Sequence, residues 1–118
     1  MAVAAGSRAE VPIVGRVACE GAALIEVSGQ VDRLALTRES VLIADYKTDR
    51  AVPAHPADAP KPYVGQLALY RAVLARIYPA KTIRAALIFT AGPKVIELAE
   101  PAMEAALADI AARNRRAK

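Results

Sequence analysis

The tightest constraint on this chain is residues 41–48, Val-Leu-Ile-Ala-Asp-Tyr-Lys-Thr, a short apolar run that turns abruptly polar. Residues two apart in a strand share a face, so Asp45 and Lys47 point the same way. Residues 24–36 are also strand-like, and only Thr37-Arg38-Glu39-Ser40 separates the two runs, a length common for hairpin loops. Pairing Leu36 with Val41 then places Asp32 opposite Asp45 and Gln30 opposite Lys47. Directly opposed side chains on an antiparallel pair sit roughly 5 Å apart. A slip of two residues would leave the aspartates diagonal neighbours on one face, and a slip of one would separate them.

Two carboxylates at that separation disfavour a sheet. With an effective dielectric of about 20, like charges near 5 Å repel by roughly 3 kcal/mol, so something must offset them. Lys47 is one candidate; a hard divalent cation with oxygen ligands is the other. A purely structural explanation makes Asp45 and Lys47 the polar end of a core strand, with Asp32 paired to Arg33 or Arg50. That explanation suffices for an isolated Asp-x-Lys, and an aspartate at the matching cross-strand position weakens it.

Composition bounds the remaining possibilities. A chain of 118 residues makes one ordinary domain that buries about two thirds of its unfolded surface. It is 55% hydrophobic but only 4% aromatic, which predicts a tightly packed aliphatic core. A net charge of +4 permits a polyanionic partner without requiring one. The single cysteine, Cys19, excludes an internal disulfide and a cysteine-based metal centre, and fits a reducing cytoplasmic setting. Residues 1–6 lack the basic flank and the length of a signal-peptide core, and no run is long enough to span a membrane. The absence of a GxxxxGK[ST] loop argues against ATP hydrolysis by this chain alone.

In order, residues 1–10 read as a disordered lead-in or stub, and residues 11–118 as the core domain. Residues 11–18 predict a strand, edge or strand-start because of Pro12, and residues 19–23 a turn carrying Glu20-Gly21; with the hairpin this gives an antiparallel meander. Pro53, Pro56, Pro60 and Pro62 make residues 49–62 an extended loop, in which His55 reads as an exposed loop residue. Residues 63–78 form the clearest helix, stopped by Pro79. Its Gln66, Tyr70, Val73 and Ile77 recur at helical spacing, so a polar pair leads an apolar stripe. Residues 82–90 and 94–98 predict a hairpin about Ala91-Gly92-Pro93. Pro101 opens a last helix over 102–116, with Met103, Leu107 and Ile110 as its buried stripe. Arg113, Arg115, Arg116 and Lys118 complement that helix's negative end or contact phosphate. The class is α/β (α+β): an antiparallel meander, a helix, a hairpin and a helix.

Three separated pieces match one pattern: Gly29-Gln30-Val31-Asp32-Arg33-Leu34, then Asp45-Tyr46-Lys47-Thr48, then Gln66-Leu67-Ala68-Leu69-Tyr70. From about Glu10 onward the chain resembles the PD-(D/E)XK nucleases of the RecB type. Glu10-Val11-Pro12, residues 69–74 and Ile77-Tyr78-Pro79 look closer still to the C-terminal end of AddA-type helicase–nuclease subunits of double-strand-break repair. The resemblance implies a restriction-endonuclease-like mixed sheet flanked by helices and a metal-dependent, exonuclease-type deoxyribonuclease. It implies that Asp32 and Asp45 hold Mg²⁺, or Mn²⁺ in its place, with the backbone carbonyl of Tyr46 as a further ligand. Lys47 would orient or deprotonate the attacking water and stabilise charge on phosphate, and Gln66 and Tyr70 would complete the site from the helix. DNA, a helicase region of the same parent chain and an AddB-like partner subunit are the implied partners. Such domains begin with a helical region that supplies another active-site residue, for which Glu10 is the one substitute here; the stretch reads as an N-terminally truncated piece of a larger protein. A non-catalytic DNA- or subunit-binding module of the same fold is the alternative.

Overall fold

A computed structural model describes residues 6–18 and 24–116. Five strands form one sheet in sequence order: β1 (Gly6–Val17), β2 (Ile25–Leu36), β3 (Ser40–Lys47), β4 (Thr82–Phe89) and β5 (Lys94–Glu97). The first three make the antiparallel meander, β3 and β4 run parallel, and β4 and β5 close an antiparallel pair. The parallel step needs a crossover, supplied by a 3₁₀ turn at Pro56–Asp58 and by helix α1 (Lys61–Ile77). A second helix, α2 (Glu100–Arg116), packs on α1.

The crossover helix decides which face of the sheet is dry. Val41, Ile43, Ile83, Ala85, Leu87 and Phe89 are buried on one face, and Leu67, Val73 and Leu74 of α1 are buried against the sheet. Side chains removed this fully from water stabilise by about 1.5–3 kcal/mol each. Asp45 and Lys47 continue the alternation of Val41 and Ile43, so β3 aims both toward α1.

Several boundaries differ from expectation. The strand expected from Val11 begins at Gly6, pairing with Leu36, so residues 6–10 belong to the sheet instead of a disordered lead-in; β2 is long enough to offer them a partner. Pro62 lies inside α1, because a proline in a first turn forfeits only an N–H that has no intrahelical acceptor. Glu100 and Pro101 likewise belong to α2. Ile77, expected to continue the apolar stripe of α1, is 58% exposed; it is the last residue of the helix, and Leu67, Ala68 and Leu74 fill the core instead. Met103 is buried while Leu107 and Ile110 are half-buried. The expected turn at 19–23, with Cys19, lies outside the described residues, as do the side chains of Arg115, Arg116 and Lys118. No helix among the described residues is long and apolar enough to cross a membrane.

Candidate active site

The β2–β3 hairpin pairs as its loop length predicts, Leu36 with Val41 through Arg33 with Ala44. Its loop is closed from within: the Thr37 amide donates to the Ser40 carbonyl at 2.9 Å, and the Ser40 amide to Thr37 Oγ1 at 2.9 Å. The next pair in that register is Asp32 with Asp45, and there the backbone ladder gives way to side chains. The Asp32 amide donates to Oδ1 of Asp45 at 3.1 Å, and the Tyr46 amide donates to Oδ2 of Asp32 at 2.8 Å. Each carboxylate therefore replaces a lost ladder acceptor for the opposing strand. Beyond this point β2 and β3 diverge. Gln30 pairs with Pro12 of β1 and is exposed, so the expectation that it faces Lys47 is corrected: the fork opens before that pair can form.

The divergence has identifiable causes. In β2 the buried positions Val27 and Val31 are odd-numbered, whereas Leu34 is even, so the alternation flips across Asp32 and Arg33. In the neighbouring strand the flip coincides with Glu10, a non-glycine residue at φ 54°, a left-handed conformation unfavourable for a side chain of this kind. At the root of the fork stands Tyr70 of α1, 4% exposed. A Cβ on Gly29 would lie 2.8 Å from its Cζ; glycine is there because the tyrosine occupies the space.

Reciprocal bonding engages one oxygen of each carboxylate and leaves Asp32 Oδ1 and Asp45 Oδ2 as donors. A residue's N–H and C=O leave a strand on the same side. Since the Tyr46 amide points at Asp32, its carbonyl points into the same fork, whereas the Lys47 carbonyl accepts from the Thr90 amide on the other side at 3.0 Å. Two carboxylate oxygens and a carbonyl are the donor set of a hard divalent cation, and the residues fit one. Among the described residues no third histidine, cysteine or acid joins them; Glu10 lies in β1 with its side chain exposed.

Asp45 is 4% exposed. Burial pushes its carboxyl above the ordinary value of 3.8, with the Asp32 charge adding to the rise and the Asp32 amide and Lys47 opposing it. Lys47 Nζ lies 4.0 Å from Asp45 Oδ2 and 4.2 Å from the centre of the Tyr63 ring. Tyr63 in turn donates to both oxygens of Asp49, at 3.0 and 2.9 Å, and this raises its phenol above the ordinary value of 10.0. Gln66 donates through Nε2 to Tyr70 Oη at 3.2 Å. The structure thus brings Asp32, Asp45, Lys47 and the Tyr46 backbone together; Gln66 contacts Tyr70, and Tyr70 meets the Gly29 wall of the fork. Tyr63 and Asp49 were missed by sequence reasoning. The signal was present: Tyr63 precedes Gln66 by three residues on the same helix face, and Asp49 continues the spacing of Asp45 and Lys47.

Against known families, residues 3–117 match the PD-(D/E)XK nuclease superfamily. The chain belongs to that superfamily. Its five-stranded mixed sheet with two helices is the restriction-endonuclease-like arrangement. Among solved structures it is similar to the crystal structure of SSO0001, with 18% identity and a TM-score of 0.55, over 95% of this chain and 50% of that one. At that identity the likeness bears on fold alone, and this chain spans half the length of the other. Comparison with curated proteins gave no significant match.

Proposed function

We propose that this domain is a metal-dependent deoxyribonuclease of the exonuclease type, hydrolysing phosphodiester bonds. The observation that carries the reading is the fork itself: two aspartates exchange backbone bonds across separating strands, each keeping one oxygen for a cation, with a lysine 4.0 Å from one of them. Asp32, Asp45 and the Tyr46 carbonyl would hold Mg²⁺, with Mn²⁺ as a substitute. Bound there, the ion would lower the pKa of a water and neutralise phosphoryl charge. Lys47 supplies a fixed cationic donor to the phosphate and orients the attacking water. Tyr70 fixes the wall of the fork, and Gln66 presents its amide from the exposed side of α1.

By the resemblance of its motifs, the domain belongs at the C-terminal end of an AddA-type helicase–nuclease. It would act in the cytoplasm on DNA at double-strand breaks, beside a helicase region of the same parent chain and an AddB-like subunit. Asp45→Ala and Lys47→Ala are expected to abolish Mg²⁺-dependent cleavage by the intact protein while leaving its circular dichroism unchanged. Cleavage retained by both variants would defeat the proposal. That no third acid or histidine joins the two aspartates among the described residues favours one other reading, a non-catalytic DNA- or subunit-binding module. Calorimetry decides between them, since that module has no need to bind Mn²⁺ at the aspartate pair.

A further inference from the structure

Lys47 carries an unbranched stem with four torsions, yet its side chain is only 18% exposed. Asp45 alone does not explain its position. Coulomb attraction to a carboxylate has no minimum at 4.0 Å; a lysine drawn by Asp45 alone would close to hydrogen-bonding distance, about 2.8 Å, and would occupy Oδ2. The counterweight is Tyr63. Its ring presents a negative face to the ammonium at 4.2 Å, and the ring is fixed because its hydroxyl is bonded to both oxygens of Asp49.

We propose that Tyr63, tethered by Asp49, is a positioning residue that holds the Lys47 ammonium off Asp45, so that Oδ2 stays open as an oxygen donor. The proposal rests on the reading of the fork as a cation site. Tyr63 sits in the first turn of α1 and Asp49 just after β3, so docking of the crossover helix and setting of the lysine become one event.

The test compares Tyr63→Phe and Tyr63→Leu in the intact chain. Ring currents should shift the Lys47 ε-methylene protons upfield in the unsubstituted protein and in Tyr63→Phe, but not in Tyr63→Leu. Mn²⁺ affinity by calorimetry should fall about two- to tenfold in Tyr63→Leu, the range expected from a cation–π contact, and less in Tyr63→Phe. Where cleavage is measured, kcat should fall in Tyr63→Leu with KM for DNA little changed. Unshifted ε-protons in the unsubstituted chain, or Tyr63→Leu binding Mn²⁺ as well as the parent, would overturn the proposal. Failure of the unsubstituted chain to bind Mn²⁺ would instead defeat the cation-site reading, and the ring-current comparison would still decide whether Tyr63 places Lys47.

Discussion

Replacing Gly29 by alanine adds one methyl group at the most crowded point of the fork. The backbone there is not in the left-handed region, so the cost is steric. The new Cβ would lie 2.8 Å from Cζ and 3.1 Å from Cε1 of Tyr70, with Oη nearer still, and the ring is 4% exposed. Overpacking of this kind costs roughly 1–3 kcal/mol. Displacing the hydroxyl also forfeits its bond from Gln66, worth about 1 kcal/mol, while the loss of glycine's freedom in the unfolded chain returns about 0.4–1 kcal/mol. The net expectation is a destabilisation of about 2 kcal/mol in urea melts, or roughly 8 °C for a domain of this size. Tyr70→Phe removes the closest atom and should cost about 1 kcal/mol alone. The double variant should be more stable than the sum of the single effects by about 1 kcal/mol, because phenylalanine vacates the space the methyl needs. Additivity within about 0.5 kcal/mol, the behaviour of independent sites, would refute the claim that Gly29 is small for the sake of Tyr70.

Asp45→Asn should stabilise the metal-free domain at neutral pH. The carboxyl is raised in the folded state, so folding binds a proton between the ordinary and the raised value; stability falls as pH rises through that window, and the advantage of asparagine should vanish below pH 3.8 in thermal melts. Equal melting temperatures at pH 7 would show that burial is not penalising the charge. Lys94 Nζ donates to the Pro53 and Ala54 carbonyls at 2.9 and 2.6 Å, so Lys94→Met should free the proline loop and speed its proteolysis roughly ten- to a hundredfold, as expected for losing charged hydrogen bonds worth about 1.5–3 kcal/mol; an unchanged cleavage rate would show the loop is held elsewhere.

What was legible in the sequence was local. The short Thr37 to Ser40 loop set the register of the hairpin, and the register brought Asp32 to Asp45 because side-chain alternation leaves little freedom once one pair is fixed. The helix was legible over 63–78 from its periodicity and from Pro79 at its end, while its first residues, Lys61 and Pro62, read as loop. What stayed hidden depends on contacts between distant segments. Nothing in residues 6–10 announces a strand; they are ordered by the far end of β2. The flip at Asp32 and Arg33 interrupts the alternation on which strand reading relies, and its counterpart, Glu10 at φ 54°, has no glycine or asparagine to advertise it. The setting of Lys47 by Tyr63 exists only once α1 has crossed from β3 to β4.

The same nonlocal step explains why the site is where it is. Strands β3 and β4 are parallel, and their carboxyl ends are where an open sheet with crossover helices offers a crevice. On the other side of β3 the antiparallel partner peels away at the pair that carries the acids. One strand end is thus bounded by a parallel neighbour through Thr90 and Lys47 and left open toward β2. Closing that gap with ordinary ladder bonds would satisfy the Tyr46 amide without help from Asp32, but it would also consume the Tyr46 carbonyl and remove the space between the carboxylates. The fold instead satisfies the amides with the acids themselves. A buried Asp45 whose carboxyl is raised above its ordinary value follows from that choice, a destabilising feature that a cation at the fork would offset.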